Sequence, residues 1–208
     1  MKSNPWLEID ISDYINHMSS PEVGQYQLIN ESFRTTLQKH KPERIFVPGC
    51  TIGNGFEYID WQNVKKVTAL DINPDFLNKL QLRFPNEKKL EIISIDFSSF
   101  ICDERRYDLI FSALFFEYID VQSTLIKFRE MMSRDSVLFS IIQLPDINQS
   151  KVSESKYKSL EKLSPYISLT SPEEFIGEID RAGLKIKLSS KRTLTNGKTF
   201  LLTETILK

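Results

Sequence analysis

Between residues 44 and 144 five short apolar runs recur, and helical patterns fill most of the gaps between them. The runs are RIFV (44–47), KKVTALDI (65–72), LEIISIDF (90–97), YDLIFSALFF (107–116) and SVLFSIIQL (136–144). Runs as continuously apolar as the fourth suit strands covered on both faces. Their alternation with helices gives a parallel sheet, and right-handed crossovers wind it into a doubly wound α/β domain. GFEYIDW (55–61) reads as a brief helix. NPDFLNKLQLRF (73–84) starts with Asn73 as a cap and Pro74 at the first helical position, and STLIKFREMM (123–132) reads as a further helix.

The flanks differ. The segment before residue 44 reads as helical pieces; SPEVGQYQLINESFRTTLQKH has a capping Ser20, a first-turn Pro21 and apolar residues at helical spacing. After the fifth run, SPEEFIGEIDRAG (171–183) is a capped helix stopped by Gly183. Asn196-Gly197 between two alternating runs signals a hairpin, so the sheet should end on an antiparallel strand. The polar, Lys- and Ser-rich stretch 145–170 reads as an insertion over the site or the sheet edge. This divides the chain into an N-terminal helical lid or substrate cap (1–43) and a sheet domain (44–208).

Composition narrows the partners. The chain has 208 residues and a formal net charge of −1, which gives no global field to draw it to nucleic acid. Arg34, Lys39, His40, Lys41 and Arg44 cluster, either as a solvated helix end or as a local basic patch. Cys50 and Cys102 form no CxxC pair and no cluster with His17 and His40, so neither a disulfide framework nor a metal site is expected. No apolar run approaches a membrane span, and the N-terminus lacks a signal-peptide core, which makes a cytoplasmic protein the expectation.

Open parallel sheets bind ligands at the carboxyl ends of their strands. Here the first strand ends in Gly49-Cys50-Thr51-Ile52-Gly53-Asn54-Gly55, where glycines let backbone approach a ligand. The second ends in Asp71, which suits a carboxylate accepting from both ribose hydroxyls or a simple helix-entry residue. The third ends in Asp96-Phe97; Asp96 is either a loop cap or an acceptor for an adenine amino group, and Ile72 and Phe97 can pack on adenine faces. The fourth ends in Ala113 to Tyr118, with Phe115 and Phe116 as core or site. Together these describe an adenosine-containing cofactor.

The order PGCTIGNG, ALDINPDFL, SIDFSSF, YDLIFSALFFEYI, SVLFSII resembles the class I S-adenosylmethionine-dependent methyltransferases over residues 44–208. That resemblance implies a seven-stranded Rossmann-like sheet with an antiparallel last strand. It implies S-adenosylmethionine as cofactor and S-adenosylhomocysteine as product. Gly49, Gly53 and Gly55, with Cys50 and Thr51 between them, would flank the methionine part. Asp71 would hold the ribose, Asp96 and Phe97 the adenine with Ile72 packed on its face, and Ala113 would border the cofactor at the fourth strand. GCTIGNG also resembles a subset of bacterial methyltransferase-like proteins that share an N-terminal helical lid. Two positions depart from the family loop: Val47 stands where an acidic residue is usual, and Thr51 where the middle glycine is. The first removes a partner for the cofactor's amino group, a place that backbone carbonyls could take. The second requires the loop to avoid positive φ or to carry strain.

Methyl transfer needs alignment and desolvation, with a base only when the acceptor must lose a proton. SALF at the fourth strand is not the Asn/Asp-Pro-Pro type that resembles adenine or glutamine methylation, and Cys50 is badly placed as a cytosine-C5 nucleophile. A small-molecule acceptor is expected, with a protein side chain as the other option, nucleic acid not expected and a homodimer possible. The acceptor wall comprises Phe115, Phe116, Glu117 and Tyr118, faced from the lid by Tyr14, His17, Met18, Gln25 and Tyr26. His17 is the leading base candidate because an unperturbed imidazole titrates near neutrality, the alternative being a helix-surface histidine. Glu117 and Tyr118 are the other catalytic candidates, Glu117 also reading as a helix-entry acid. Two other classes stand beside this reading: a non-catalytic cofactor-binding or interaction protein of the same fold, and a nicotinamide-dependent enzyme. The latter is disfavoured because Gly49-x-Thr51-x-x-Asn54 is not Gly-x-Gly-x-x-Gly.

Overall fold

Seven strands form one sheet in the computed structural model, which describes residues 4–102 and 107–208. They are β1 (Arg44–Pro48), β2 (Lys66–Asp71), β3 (Leu90–Ser94), β4 (Tyr107–Ala113), β5 (Met132–Gln143), β6 (Leu184–Thr193) and β7 (Thr199–Leu207), in the order β3-β2-β1-β4-β5-β7-β6. β1 to β5 pair in parallel; β7 is antiparallel to both β5 and β6. The antiparallel strand therefore lies inside the sheet, and the Asn196-Gly197 hairpin leaves β6 as the edge. Side chains alternate across the sheet. On β1, Ile45 and Val47 join one buried cluster with Phe33, Phe56 and Phe111; Phe46 joins the other with Leu70, Phe128 and Phe175. Both faces are thus dry, which is why β1 and β4 read as near-continuous apolar runs.

The helices are α1 (Ile11–Ser19), α2 (Gln25–His40), α3 (Pro74–Arg83), α4 (Val121–Met131) and α5 (Pro172–Arg181). α3 and α5 start where their caps place them. Asn73 accepts from Asp75 N, and Ser171 and Glu174 form a reciprocal capping box.

Several boundaries differ from the sequence expectation. The helix expected from Ser20 begins instead at Gln25, after a separate α1 that ends at Ser19. Asp10 caps α1 by accepting from Ser12 N and Asp13 N, and the amides of Val23 and Gly24 both bond to Ser20 O in a turn. Gly24 at φ 67° cannot lie within a helix, so α2 begins after it, and this outweighs the Ser-Pro signal. β4 stops at Ala113, three residues early, because Leu114 turns into the left-handed region at φ 53°. β3 stops at Ser94, and Asp96 caps the 3₁₀ turn that follows. The basic cluster is partly paired: Lys39 and His40 both reach the buried Glu204 on β7, tying the end of α2 to the sheet.

The N-terminal segment and the 145–170 stretch meet each other above the strand ends. Ser159 N donates to Asp13 Oδ2 (3.0 Å), and His17 Nδ1 lies 2.9 Å from Ser155 Oγ. Asn73 Nδ2 donates to Trp6 O (2.8 Å), fastening the N-terminus to the end of β2. No described helix is long and apolar enough to cross a membrane.

Candidate active site

The loop after β1 is shaped by packing from below. A Cβ at Gly49 (φ 61°) would lie 2.8 Å from the Phe115 ring, and one at Gly53 (φ 75°) would lie 2.5 Å from Leu80 Cδ1. Thr51 does adopt positive φ, at 48°, so the loop carries strain where the usual glycine is missing. Three contacts hold it there. Thr51 N donates to Asp71 Oδ2 (2.9 Å), Thr51 Oγ1 lies 2.9 Å from the Tyr14 hydroxyl, and Asn54 Nδ2 donates to that same hydroxyl oxygen (2.9 Å). A residue of α1 is thereby tied to the loop.

Asp71 ends β2 with 6% exposure. Its Oδ1 accepts from Asn73 N (2.9 Å) and its Oδ2 from Thr51 N. Burial outweighs these amides and raises its pKa to about 6. Asp96 accepts from both the amide and the hydroxyl of Ser98 through Oδ1, so it does cap its turn. Beside it, Lys127 Nζ donates to Phe97 O (2.7 Å) and sits 4.5 Å from the Phe97 ring centroid. Burial lowers the Lys127 pKa, against the charge of Asp96.

A cavity of about 570 Å³ runs along these strand ends. Of the expected cofactor residues, Gly49, Cys50, Thr51, Asp71, Ile72, Asp96, Phe97 and Ala113 line it. Gly53 and Gly55 do not; they face Leu80 and Phe33 in the core beneath. Of the expected catalytic and acceptor residues, His17, Glu117, Tyr118, Tyr14, Met18, Gln25 and Phe115 line it. Tyr26 and Phe116 lie outside it: Tyr26 is half-buried against the core, and Phe116 is buried against Phe128 and Phe175 because the 3₁₀ turn Phe116–Tyr118 rotates it beneath the sheet end.

Other lining residues carry weaker signals. Trp6 is the aromatic of an otherwise polar N-terminus. Asn54 belongs to the glycine loop. Leu160, Leu163 and Ile167 are buried apolar positions of a Lys- and Ser-rich stretch.

The far end of the cavity holds buried charge. Glu117 is 5% exposed. Its Oε1 accepts from Gln143 N (2.6 Å), its carbonyl accepts from Ser168 N (2.8 Å), and its Oε2 has no hydrogen-bond partner. Burial raises its pKa to about 7. His17 departs from the expected near-neutral titration: burial, then the charge of Lys198, push it down to about 4, so it is a neutral imidazole at pH 7. Lys198 is itself buried, donating to Lys151 O (2.7 Å) and to Gln143 Oε1 (3.5 Å), and burial lowers it to about 8. Burial raises Tyr14 to about 12 and Tyr118 further, so both stay neutral phenols.

Residues 47–140 match the family model for the methyltransferase domain. No curated protein sequence matches the chain. Among solved structures, the chain is similar to the N-methyltransferase NodS from Bradyrhizobium japonicum in complex with S-adenosyl-L-homocysteine. The TM-score is 0.73 at 15% identity, covering 98% of this chain and 96% of that one. It is similar to magnesium protoporphyrin IX methyltransferase from Synechocystis with bound S-adenosylhomocysteine, at TM-score 0.69 and 11% identity, covering 95% and 94%. A third likeness is to an S-adenosylmethionine-dependent methyltransferase from Mesorhizobium loti, at TM-score 0.66 and 15% identity, covering 90% and 98%. These TM-scores establish the shared fold, and the domain match falls on β1 to β5 with the strand ends that build the cavity. The chain thus carries a methyltransferase-domain match over residues 47–140, on a fold it shares with solved S-adenosylmethionine-dependent methyltransferases.

Proposed function

We propose that the protein transfers a methyl group from S-adenosylmethionine to a small-molecule acceptor held at the Glu117 end of the cavity. The observation that carries this reading is the continuity of one cavity from Asp71 and the glycine loop to Glu117 and His17. The residues present fit the cofactor. The Asp71 carboxylate keeps acceptor capacity beyond the two backbone amides it already takes, and so suits two vicinal hydroxyls. Asn54 Oδ1 is a buried acceptor without a partner beside the loop. It suits the amino group that the acid missing at Val47 would otherwise receive.

When bound, the cofactor supplies a methyl group already activated by its sulfonium. The chain then has to align the acceptor and keep water out. α1 and the stretch around the 3₁₀ helix Lys158–Tyr166 roof the acceptor end, His17 and Met18 from one side and Leu160, Leu163 and Ile167 from the other. Residues up to 43 thus act as a substrate cap and 145–170 as its counterpart. Such a roof favours a small molecule over a folded protein or a nucleic acid. Glu117 is the proton acceptor this site supports, since its pKa lies near neutrality. His17, neutral and joined to Ser155, orients the roof.

Calorimetric titration with S-adenosylmethionine, S-adenosylhomocysteine and NAD tests the reading. Binding of the first two and not of NAD is the expected result. No binding of any by folded protein would favour the non-catalytic alternative. Asp71→Ala should weaken S-adenosylhomocysteine binding at least 100-fold (about 3 kcal/mol by the usual conversion), and wild-type affinity in that variant would remove the ribose assignment.

A further inference from the structure

The acceptor end contains a buried carboxylate with an unused oxygen, and the partners around it state what is missing. Glu117 lines the cavity, its Oε1 is taken by Gln143 N, and its Oε2 receives no donor. Among the described residues it pairs with no cation. An isolated buried carboxylate is costly, and a bound donor carrying positive charge relieves that cost most. The neighbouring rings suit the same charge. Trp6 and Tyr118 meet edge to face, with centroids 5.0 Å apart, and both line the cavity with Phe115. Aromatic walls of this kind attract ammonium groups.

The surrounding charges also give the site a direction. Lys198 is buried on the far side of Gln143, and its charge is felt by His17. A cationic ligand is therefore repelled from the His17 side and drawn to the Glu117 side. Leu160, Leu163 and Met18 give the same cavity an apolar wall that suits an apolar body.

We infer that the methyl acceptor is a primary or secondary amine on an apolar body, its nitrogen seated against Glu117 Oε2. This rests on the methyltransferase reading above and names the acceptor class within it. The proton balance closes within the site. An ammonium group gives one proton to the Glu117 carboxylate and becomes a neutral amine. The amine lone pair forms the new N–C bond as the methyl carbon's bond to sulfur breaks, and that electron pair stays on sulfur. The methylated nitrogen carries the positive charge away, and Glu117 returns its proton to water as the product leaves. A pKa near neutrality lets Glu117 both take and release that proton.

Three probes of matched shape test the assignment: benzylamine, benzyl alcohol and phenylacetate. Each is titrated calorimetrically into the full-length protein saturated with S-adenosylhomocysteine, at pH 8, where Glu117 is mostly ionised. Benzylamine should bind at least tenfold more tightly than the other two. Glu117→Gln should erase that preference while S-adenosylhomocysteine affinity stays at the wild-type value. Equal binding of the three, absence of binding by all three, or a preference for phenylacetate overturns the amine assignment and leaves the methyltransferase reading standing. Failure of S-adenosylhomocysteine to bind at the first step overturns both.

Discussion

Thr51 shows how a single residue can depart from a family pattern and still hold a loop. Its φ of 48° costs an L-residue roughly 1–2 kcal/mol. The amide bond to Asp71 and the hydroxyl contact to Tyr14 offset that cost. The two terms separate by substitution. Thr51→Ala keeps the Cβ and loses the hydroxyl, whereas Thr51→Gly loses both the hydroxyl and the strain. Urea unfolding should therefore find the glycine variant more stable than the alanine variant by about 1 kcal/mol. Equal stabilities would mean that the left-handed geometry carries no strain here. Asp71 acts in the same place with two roles. It faces the cavity and pins the amides of Thr51 and Asn73, so Asp71→Ala should lower the melting temperature as well as cofactor affinity.

At the scale of elements, the loop after β1 is completed by a helix outside the sheet. Tyr14 on α1 contacts Thr51 and receives Asn54, while Trp6 is held by Asn73 at the end of β2. Docking of the N-terminal segment and ordering of the loop are then one event. Tyr14→Phe should weaken S-adenosylhomocysteine binding about tenfold, because it removes the hydroxyl that meets both Thr51 and Asn54. In a Thr51→Gly background the same change should cost much less, because the loop no longer needs the hydroxyl to hold a strained residue. Hydrogen exchange should show residues 4–19 more protected with S-adenosylhomocysteine bound; exchange there that ignores the ligand would uncouple the lid from the loop. The elements themselves were unevenly legible. Strands β1 and β4 could be read because both faces are buried, and α3 and α5 because Asn73 and Ser171 mark their starts. The start of α2 was not, since Ser20 and Pro21 mimic a helix start whereas Gly24 in the left-handed region delays the helix to Gln25.

Across the whole molecule, the order of strand ends in the sequence sufficed to place the cavity, but the titration of its groups had to come from the fold. His17 looks like a near-neutral base in isolation; enclosure under the roof and the distant Lys198, 181 positions along the chain, make it a neutral imidazole at pH 7. Glu117 looks like an ordinary helix-entry acid until β5 and the 145–170 stretch bury it. These shifts set how stability depends on pH. Glu117 rises from 4.5 to about 7 and Asp71 from 3.8 to about 6 on folding. Below the unfolded values both groups are protonated in either state and contribute nothing. As pH rises, the unfolded chain releases protons that the folded chain retains, so folding is progressively disfavoured until pH passes the folded values. His17 acts in the opposite direction, disfavouring the fold as pH drops from 6.5 towards 4. The wild-type profile therefore mixes opposing trends, and a difference between variants is needed to separate them. Glu117→Gln keeps an acceptor for Gln143 N and removes only the charge. Its unfolding free energy should equal the wild-type value near pH 4.5 and exceed it increasingly up to pH 7. The gap should then level off at no more than about 3–4 kcal/mol, from roughly 1.4 kcal/mol per pKa unit. A difference that stays constant across that range would mean that Glu117 is ionised as easily in the fold as in water. An uncompensated carboxylate would then not be waiting at the acceptor end of the cavity.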